Sequence, residues 1–460
     1  MFELRDYQSE TIDNIYSELK QGKRSLVVQQ PPRTGKTVIM AEIARRTTAK
    51  GNRVLFIVHR IEIVEQVIQT FKRQGVNMDL CKVGMVQTFT RRISNLDKPD
   101  LILIDEAHHV LADSYMRIVN NFPDAIKLMF TATPYRMSGQ GFEEVADGLI
   151  EGKQVSWLIK HKRLSPVDYY APKSINEKLL KTRKGEFSNK SIDEAIKPKI
   201  YGDAVKHYQK IAKGTNAIAY CHSVDSAKKL ADEFNQSGIK AVEVDGSTDA
   251  QDREKIITDF KNGKIKVLTN VELFTEGLDL PGVDTVIQLR PTQSLSLYLQ
   301  FAMRSMNYRE GKTAKIIDHV GNVERFGLPT QDRHWTLKSK NKRSKKKKSD
   351  VVPVTVCSQC FSTFYRVGNE CPVCHAELKV NKAEIDVDEN AELTKIQERK
   401  QARTIRLQKM MKDEVYKNII GKSPADLKSM AELKAYAKLH DYKDGWVFYQ
   451  AKQKGLIRIR

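Results

Sequence analysis

Long hydrophobic runs are missing from this chain of 460 residues. No stretch approaches the ~20 consecutive apolar residues that a membrane span requires, and no secretory signal pattern begins the chain. Cysteine is also scarce: there are six, and four of them lie within residues 357–374. We therefore expect a soluble protein of a reducing cytoplasm, with no membrane partner, in which clustered cysteines are better suited to metal than to disulfides.

Acidic side chains are too few to balance the basic ones. The chain has 57 Asp and Glu against 78 Lys and Arg, which gives a formal net charge of +21. The excess is uneven, because residues 331–460 alone carry 29 basic and 16 acidic side chains. Such a balance favours a polyanionic partner, although it says nothing about the fold.

A phosphate-binding loop is indicated near the N-terminus. Ser25–Gln29 is predicted as a strand, and a helix-forming stretch occupies 38–46. Between them, Lys36 can reach the β and γ phosphates of a nucleotide, and the Thr37 hydroxyl can ligate Mg²⁺. The other predicted nucleotide-binding residues of the loop are Arg33, Thr34 and Gly35. The general pattern has glycine where Gln30 stands, so a chance Gly-Lys-Thr triplet is the alternative.

Two adjacent carboxylates follow a second apolar stretch. Leu101–Ile104 is predicted as a buried strand, and Asp105 and Glu106 come directly after it. Because ligands bind outside the carboxyl ends of parallel strands, both carboxylates are expected at the mouth of a site. Asp105 is predicted to hold Mg²⁺, and Glu106 to orient and deprotonate an attacking water. Many acidic pairs are only solvated turn residues, but the phosphate loop upstream favours the nucleotide site.

Strand-like and helix-like stretches alternate through most of the chain, which predicts an α/β class with doubly wound parallel sheets. The strand-like stretches that end in a polar turn include 54–58, 82–86, 128–130, 217–220, 241–244 and 266–270. We expect one such domain over 1–155, a second over 201–330, and a connection at 156–200. Ahead of the loop, Arg5 and Gln8 could read an adenine edge, or could be ordinary polar residues at a helix start.

Several groups of residues occur in a specific order. They are Gln8, Gly35-Lys36-Thr37, His59-Arg60, Asp105-Glu106-Ala107-His108 and Thr131-Ala132-Thr133. In this order they resemble the motifs of a DEAD/DEAH-box helicase of superfamily two. Stretches around His222, Thr269 and Gln300 resemble the later motifs of the same superfamily, so the likeness covers roughly 1–325. It implies two RecA-like lobes that sandwich ATP and Mg²⁺, with nucleic acid lying across both.

The resemblance also implies roles for single residues. Residues expected to face the nucleotide from the second lobe are Gly277, Asp279, Gln300, Arg304 and Arg309. Residues expected near the nucleic acid are Arg60, Gln87, Thr88, His222, Ser223, Thr269 and Asn270. His108, Thr131 and Thr133 are expected to couple the nucleotide state to the lobe that carries the strand. For the nucleic-acid residues, the alternative is an ordinary polar loop residue without a ligand.

Two positions depart from the pattern of the superfamily. Arg33 stands where phosphate loops of this kind usually carry glycine, and Asn307 stands where the last motif usually carries its arginine finger. Such a cation contributes on the order of 10³–10⁵ in rate, so its loss matters. Our hypothesis is that Arg304 carries most of that role, with Arg309 near enough to substitute.

A zinc site is predicted downstream of the second lobe. Cys357 and Cys360 are followed after ten residues by Cys371 and Cys374, the spacing of two metal-binding knuckles. Four thiolates leave no open coordination position, so the zinc is expected to be structural within a ribbon at 353–380. His375, next to the last cysteine, is a weaker candidate ligand.

The remaining segments carry less specific signals. We expect a basic linker at 331–352, a charged helix at 381–422 and a small helical module at 423–460. The linker contains a run of like charge at 338–348, which would either contact phosphates or remain a solvated connection. In the module, Asp444-Gly445 is expected to break a helix. The aromatics Trp446, Phe448 and Tyr449 are expected as core first, with base stacking as the alternative.

These features together predict an ATP-dependent DNA helicase or translocase. A zinc ribbon followed by a helical module resembles the RadD-type repair helicases of bacteria and related phage-encoded helicases. That resemblance implies work in replication, recombination or repair, in the cytoplasm of a bacterial or phage-infected cell. Single-stranded or forked DNA is the expected partner, alongside replication or recombination proteins. The alternatives are an RNA helicase, the motor of a restriction complex and a nucleic-acid-binding ATPase clamp with little unwinding.

Overall fold

The computed structural model describes most of the chain, in two compact units, Met1–Pro353 and Val354–Arg460. The described residues are 1–134, 141–183, 185–196, 199–271, 273, 280, 282–339, 351–378, 414–419, 422–440, 442 and 444–457. Each unit is treated by itself. Among the helices described, none is both long and apolar enough to cross a membrane.

The first lobe of unit one is built on a six-stranded parallel sheet. Its strands are β1 Ser25–Gln29, β2 Val54–Val58, β3 Cys81–Met85, β4 Leu101–Ile104, β5 Ile126–Thr131 and β6 Gly148–Glu151. They lie in the order β3-β2-β4-β5-β1-β6. Its helices are α1 Asp6–Lys20, α2 Lys36–Thr48, α3 Ile61–Gln74, α4 Val86–Arg91, α5 Asp113–Asn121 and α6 Val155–Lys160.

Strand β2 shows why these apolar stretches form a buried sheet. All five of its residues are buried. Phe56 packs into the core on one face, and its neighbours Leu55 and Ile57 pack into the core on the other. Successive side chains of a strand point to opposite faces, so a strand covered on both sides must be apolar throughout.

The second lobe of unit one repeats the arrangement. Its main strands are β7 Val167–Tyr170, β10 Ala217–Tyr220, β11 Ala241–Glu243, β12 Val267–Asn270, β13 Thr285–Gln288 and β14 Ala314–Asp318, with a small hairpin of β8 Thr182–Arg183 and β9 Glu186–Phe187. The parallel order is β11-β12-β10-β13-β14-β7. Its helices are α7 Asn189–Ala195, α8 Lys199–Ile211, α9 Val224–Gln236, α10 Ala250–Lys261, α11 Leu295–Ala302 and α12 Asn322–Phe326. The predicted α/β class with two tandem parallel-sheet lobes is confirmed.

Two predicted segment boundaries differ from the structure. The expected connection at 156–200 contains β7, which pairs with β14 as the edge strand of the second sheet. The expected linker also begins later than residue 331, because its first residues return to the first lobe. There the Leu337 carbonyl accepts from the Phe142 N–H at 2.7 Å, and the Arg333 carbonyl accepts from Gln154 at 2.8 Å. The rest of the basic run, from 340, lies outside the described residues.

Unit two contains a small ribbon and short helices. Strands β15 Thr355–Val356 and β16 Thr363–Phe364 pair antiparallel, and the helices are α13 Glu414–Ile419, α14 Met430–His440 and α15 Asp444–Gln453. Most of the charged helix expected at 381–422 falls outside the described residues.

The C-terminal helices of unit two correct two expectations. Asp444-Gly445 begins α15 rather than breaking a helix. Trp446 stacks on Tyr436 with ring centroids 5.7 Å apart, as a core residue would. Phe448 and Tyr449, however, are 56% and 57% exposed, because they lie on the face of α15 turned away from that core. They are therefore not the core residues we expected.

Candidate nucleotide site between the two lobes

Three loops of the first lobe meet at one edge of its sheet. The loop at 30–35 follows β1, Asp105-Glu106 follows β4, and Thr131 ends β5. Strand β5 pairs with both β1 and β4, so the carboxyl ends of the three strands lie side by side. This is the edge at which open parallel sheets bind ligands.

The phosphate loop is held in shape by contacts within the protein. Gly35 has a φ of +78° at the start of α2, and a Cβ there would lie 2.6 Å from Nε2 of Gln8. The Thr34 carbonyl accepts hydrogen bonds from the Tyr7 hydroxyl at 2.8 Å and from Gln8 Nε2 at 3.0 Å. Glycine is therefore required at position 35 by both the backbone angle and the lack of space.

Gln8, whose contact with adenine stays a prediction, supports the phosphate loop in this structure. Its Oε1 accepts from the Arg5 N–H at 3.0 Å while its Nε2 holds the phosphate loop, and the side chain is buried. Both polar atoms are thus used within the protein. Arg5 is exposed and lies beside the Tyr7 hydroxyl at 3.4 Å. Gln8 acts in this structure as a support for the loop.

Lys36 and Glu106 form an ion pair at the centre of the site. Lys36 Nζ lies 3.2 Å from Glu106 Oε1, and His108 Nδ1 lies 3.4 Å from Glu106 Oε2. Burial pushes the pKa of Glu106 upward, but the Lys36 charge and the His108 contact outweigh it and hold that pKa well below its usual range. Glu106 is therefore an ionised carboxylate. Its backbone has a φ of +49°, a conformation that is rare outside glycine.

The remaining first-lobe residues complete a set that suits a magnesium nucleotide. Asp105 is half-buried and accepts the Glu106 N–H at 2.9 Å, and Thr37 is half-buried on the first turn of α2. Carboxylate and hydroxyl oxygens are the ligands that Mg²⁺ prefers. Thr131 Oγ1 donates to the Thr133 carbonyl at 3.0 Å. The buried Thr133 hydroxyl has no hydrogen-bond partner among the described residues.

The second lobe contributes a buried arginine, Arg304, to the same region. Arg304 is 4% exposed and hydrogen-bonds to the Tyr220 hydroxyl, and the Tyr220 ring stacks on Phe301 at 4.1 Å. Gln300 is buried on α11, whereas Arg309 is mostly exposed and pairs with Asp284 at 2.8 Å.

Two residues expected at the nucleotide, Gly277 and Asp279, lie outside the described residues.

Tyr220 is a residue of this region that the sequence does not indicate, because a tyrosine at the end of an apolar strand matches no motif. The contact between Arg33 Nε and Asn307 Oδ1, at 2.7 Å, joins the phosphate loop directly to the second lobe.

The first-lobe residues expected near nucleic acid are accessible. Gln87 and Thr88 are exposed on the first turn of α4, directly after β3. Arg60 is half-buried at the start of α3, directly after β2. Because β2 and β3 pair, the three side chains occupy neighbouring positions at the carboxyl edge of the sheet.

Three of the four second-lobe residues expected near nucleic acid are buried in this structure, and the fourth, Ser223, is half-buried. Thr269 and Asn270 are fully buried; Thr269 Oγ1 donates to the Ala227 carbonyl at 2.8 Å, and Asn270 Nδ2 donates to the Ala219 carbonyl at 3.1 Å. His222 is buried with Nε2 2.6 Å from an Asp193 carboxylate oxygen. Ser223 accepts the Ser226 N–H and so caps α9. All four side chains make hydrogen bonds within the second lobe, and their role near a phosphodiester backbone stays a prediction.

The four cysteines of unit two come together as the spacing predicts. Their sulfur atoms all lie within 4.8 Å of one another, and the group does not include His375. The two knuckles share one backbone geometry: Phe361 donates to the Cys357 carbonyl at 2.9 Å, and His375 donates to the Cys371 carbonyl at 3.0 Å. Both donors have positive φ values, +63° and +58°. Four thiols in this arrangement suit tetrahedral Zn²⁺.

Two protein-family models match the chain. Residues 1–136 match the model described as type III restriction enzyme, res subunit, and residues 199–309 match the helicase conserved C-terminal domain. A 51.5 kDa protein of Lactococcus phage (isolate 7-9) is 41% identical over 392 residues, which cover 85% of this chain and 87% of the phage protein.

More distant relatives share part of the chain. IRC3 of Saccharomyces cerevisiae, which carries the name of an ATP-dependent helicase, is 29% identical over 358 residues, covering 69% of this chain. The match covers 51% of the yeast protein, so this chain spans about half its length. Among solved structures, the ATP-dependent type ISP restriction-modification enzyme LlaBIII bound to DNA has a TM-score of 0.51 at 16% identity, over 69% of this chain and 28% of that one. This last likeness concerns the fold alone.

Proposed function

This chain belongs to the superfamily 2 helicases, which are ATP-hydrolysing enzymes, and from that membership we propose that it is an ATP-dependent DNA translocase or helicase. The observation that carries the proposal is the ion pair of Lys36 and Glu106, 3.2 Å apart at the carboxyl edge of the first sheet. A half-buried lysine that neutralises a buried carboxylate there can exchange its partner for a phosphate. That exchange would leave Glu106 to act on water.

The hydrolysis step follows from these residues. Lys36 and the N–H groups at the start of α2 would bind the phosphates. Thr37 and Asp105 would hold Mg²⁺, which neutralises developing charge when bound. The water oxygen bonds to the γ-phosphorus, the bond to the β–γ bridging oxygen breaks, and ADP leaves with that electron pair. Glu106, ionised at neutral pH, takes the proton from the water, and Arg304 would stabilise the charge from the second lobe.

DNA is the proposed polymer. The net charge of +21 supplies sequence-independent attraction to phosphates. The accessible side chains after β2 and β3, Arg60, Gln87 and Thr88, provide a surface for a strand next to the nucleotide. The match of residues 1–136 to the type III restriction enzyme model also supports DNA over RNA. Replication, recombination or repair of phage or bacterial DNA is the proposed setting.

Steady-state ATPase measurements test this proposal. The purified full chain is assayed with Mg²⁺ and ATP alone, then with single-stranded, duplex and forked DNA, and with RNA of matched sequence. We expect stimulation by DNA, with forked or single-stranded DNA above duplex. Stimulation by RNA alone would replace the proposal with an RNA helicase. Hydrolysis without displacement of an annealed strand, and without movement along DNA, would favour the ATPase clamp.

We also propose that the four cysteines Cys357, Cys360, Cys371 and Cys374 bind one structural Zn²⁺. The matched backbone of the two knuckles supports this, because it brings all four sulfur atoms within 4.8 Å of one another. Metal analysis of the purified chain should give one zinc per chain. Cys371→Ser should lose the zinc and the protease resistance of unit two, while unit one still binds ADP. Full protease resistance without zinc would contradict the assignment.

A further inference from the structure

The two positions at which this chain departs from the superfamily pattern contact each other. Arg33 of the phosphate loop donates from Nε to Oδ1 of Asn307 at 2.7 Å, although the two residues are 274 positions apart. One position has gained a guanidinium where glycine is usual, and the other has lost one. The contact therefore joins the additional arginine of the first lobe, Arg33, to the position in the second lobe where the usual arginine is replaced by Asn307.

The backbone at Arg33 is held in a demanding conformation. Its φ is +67°, in the left-handed region that favours glycine, and it is one of five described non-glycine residues with a positive φ. Another of the five is Glu106, in the same site. A residue with a Cβ persists in such a conformation only where its surroundings or its function require it. The strained backbone at position 33 therefore indicates that the arginine side chain has a function there.

Asn307 is a fixed acceptor. Its backbone carbonyl accepts hydrogen bonds from Ser165 Oγ at 2.9 Å and from Lys312 Nζ at 3.2 Å. The preceding carbonyl, of Met306, accepts from the Ser165 N–H at 2.9 Å, and Leu164 forms an antiparallel bridge with Asn307. With its backbone held from both sides, the Asn307 amide presents Oδ1 at a defined point. A guanidinium bound there is oriented as well as attracted.

Positive charge collects around this contact. The charges of Arg304 and Arg33 both oppose the rise that burial causes in the pKa of Tyr220, and Arg304 also hydrogen-bonds to the Tyr220 hydroxyl. Lys312 is also near, since it donates to the Asn307 backbone carbonyl. Burial first, and then the charges of Arg309 and Arg33, lower the pKa of Lys312 to about 8, although Asp284 raises it. Several cations next to a phosphate loop form a setting for a multiply charged anion.

We propose that Arg33 supplies, from the phosphate loop itself, the second guanidinium for the terminal phosphate of ATP, and that Asn307 of the other lobe orients it. Arg33 is then a catalytic residue and Asn307 a positioning residue. This inference rests on the proposed ATPase function. Arg33 stabilises the charge that builds on the γ-phosphate oxygens while the bond to ADP breaks. Its alignment by Asn307 makes hydrolysis depend on the approach of the two lobes.

The decisive variant is Arg33→Gly, because glycine suits the backbone at this position and should preserve or raise the melting temperature. A loss of function in Arg33→Gly is therefore not a loss of folding. Arg53→Ala is the matched control, an exposed arginine just before β2, at the opposite edge of the sheet. Two further variants, Asn307→Arg and the double variant Arg33→Gly/Asn307→Arg, test whether the cation can be supplied from either side.

Two readouts are needed on the full chain. The first is equilibrium binding of Mg·ADP with and without aluminium fluoride, which imitates the transferring phosphate. Arg33→Gly should lose about tenfold or more of the preference for the fluoride complex, with ADP affinity almost unchanged. The second is steady-state kinetics, in which Arg33→Gly should lower kcat by about 10²-fold or more and leave KM within about threefold. The double variant should recover about tenfold of that kcat.

The outcomes separate this inference from the proposed function. Failure of the unmodified chain to bind ADP or hydrolyse ATP would overturn the ATPase function itself. An active chain in which Arg33→Gly behaves like Arg53→Ala would overturn the inference alone and leave the contact as a simple link between lobes. A double variant no better than Arg33→Gly would contradict the inference that positions 33 and 307 serve the same phosphate, because an arginine at 307 could then not replace the lost one.

Discussion

Each parallel sheet of unit one has a buried carboxylate where one of its strands ends, and the two are held in opposite ways. In the first lobe, Glu106 follows β4 and is bound by the side chains of Lys36 and His108. In the second lobe, Asp318 ends β14 and accepts the N–H groups of Val320 at 3.0 Å and Val323 at 2.9 Å.

Their acid–base properties differ accordingly. The Lys36 charge and the His108 contact hold the pKa of Glu106 well below its usual range, whereas burial raises the pKa of Asp318 despite its hydrogen bonds, including one from the Tyr169 hydroxyl at 3.0 Å. Side-chain cations can move to a ligand, and backbone N–H groups cannot. The comparison therefore assigns chemistry to the first carboxylate and support of the fold to the second.

The largest expected effect comes from exchanging each carboxylate for its amide. Glu106→Gln should lower kcat by about 10²–10⁴-fold, because it removes the general base, and should leave ADP affinity and melting temperature almost unchanged. Asp318→Asn should do the reverse. It should cost about 1–3 kcal/mol of stability, because an amide cannot accept from all three donors, and leave kcat unchanged. The measurements are steady-state ATPase and thermal unfolding of both variants.

The amide exchange at Glu106 can contradict the comparison as well as support it. Substantial turnover by Glu106→Gln would remove Glu106 as the base. A fall in kcat for Asp318→Asn, at a temperature where the variant is folded, would show that the second carboxylate also acts in catalysis. ADP affinity is the check that the nucleotide site of either variant is intact.

The sequence was informative wherever one chain segment decided the outcome. Strand, loop and helix at the phosphate site are contiguous, and the apolar run before Asp105-Glu106 identifies its own strand. Burial of Thr269 and His222 depends instead on α9 and Asp193, which pack against them from elsewhere in the chain. Strand β7 was also missed, because a four-residue strand with an exposed Asp168 shows its pairing only once β14 is beside it.

Contacts between distant positions were the least predictable. Position 33 and position 307 each looked like an isolated departure from a pattern, and nothing in the sequence connects them. Likewise, residues 331–339 looked like the beginning of a linker because they lie next to a basic run. Their return to the first lobe is fixed by bonds such as that between the Leu337 carbonyl and Phe142. Such contacts depend on the packing of the lobes rather than on local propensity.

An intermediate effect is expected from the nucleic-acid residues that differ in exposure. Arg60→Ala in the first lobe should weaken DNA binding by about tenfold and lower the salt dependence of the logarithm of the binding constant by about 0.9, as for one phosphate contact. His222→Ala in the second lobe should change neither, because the imidazole is buried against Asp193. Binding of single-stranded DNA at several salt concentrations measures both. An unchanged salt slope in Arg60→Ala would contradict the proposed first-lobe surface.

The smallest expected effect comes from two threonines, Thr269 within β12 of the second lobe and Thr88 on α4 of the first lobe. Thr269→Val removes the hydrogen bond from Oγ1 to the Ala227 carbonyl and leaves that carbonyl without this donor. The expected loss is about 1 kcal/mol, or about 2–4 °C in melting temperature, with DNA affinity unchanged. Thr88→Val, exposed on α4, should leave the melting temperature unchanged and weaken DNA binding only slightly. If instead Thr269→Val weakened DNA binding while its melting temperature held, Thr269 would have to become accessible when DNA binds. The second lobe would then rearrange around β12, and the contrast between an accessible first lobe and a buried second lobe would hold only for the DNA-free protein.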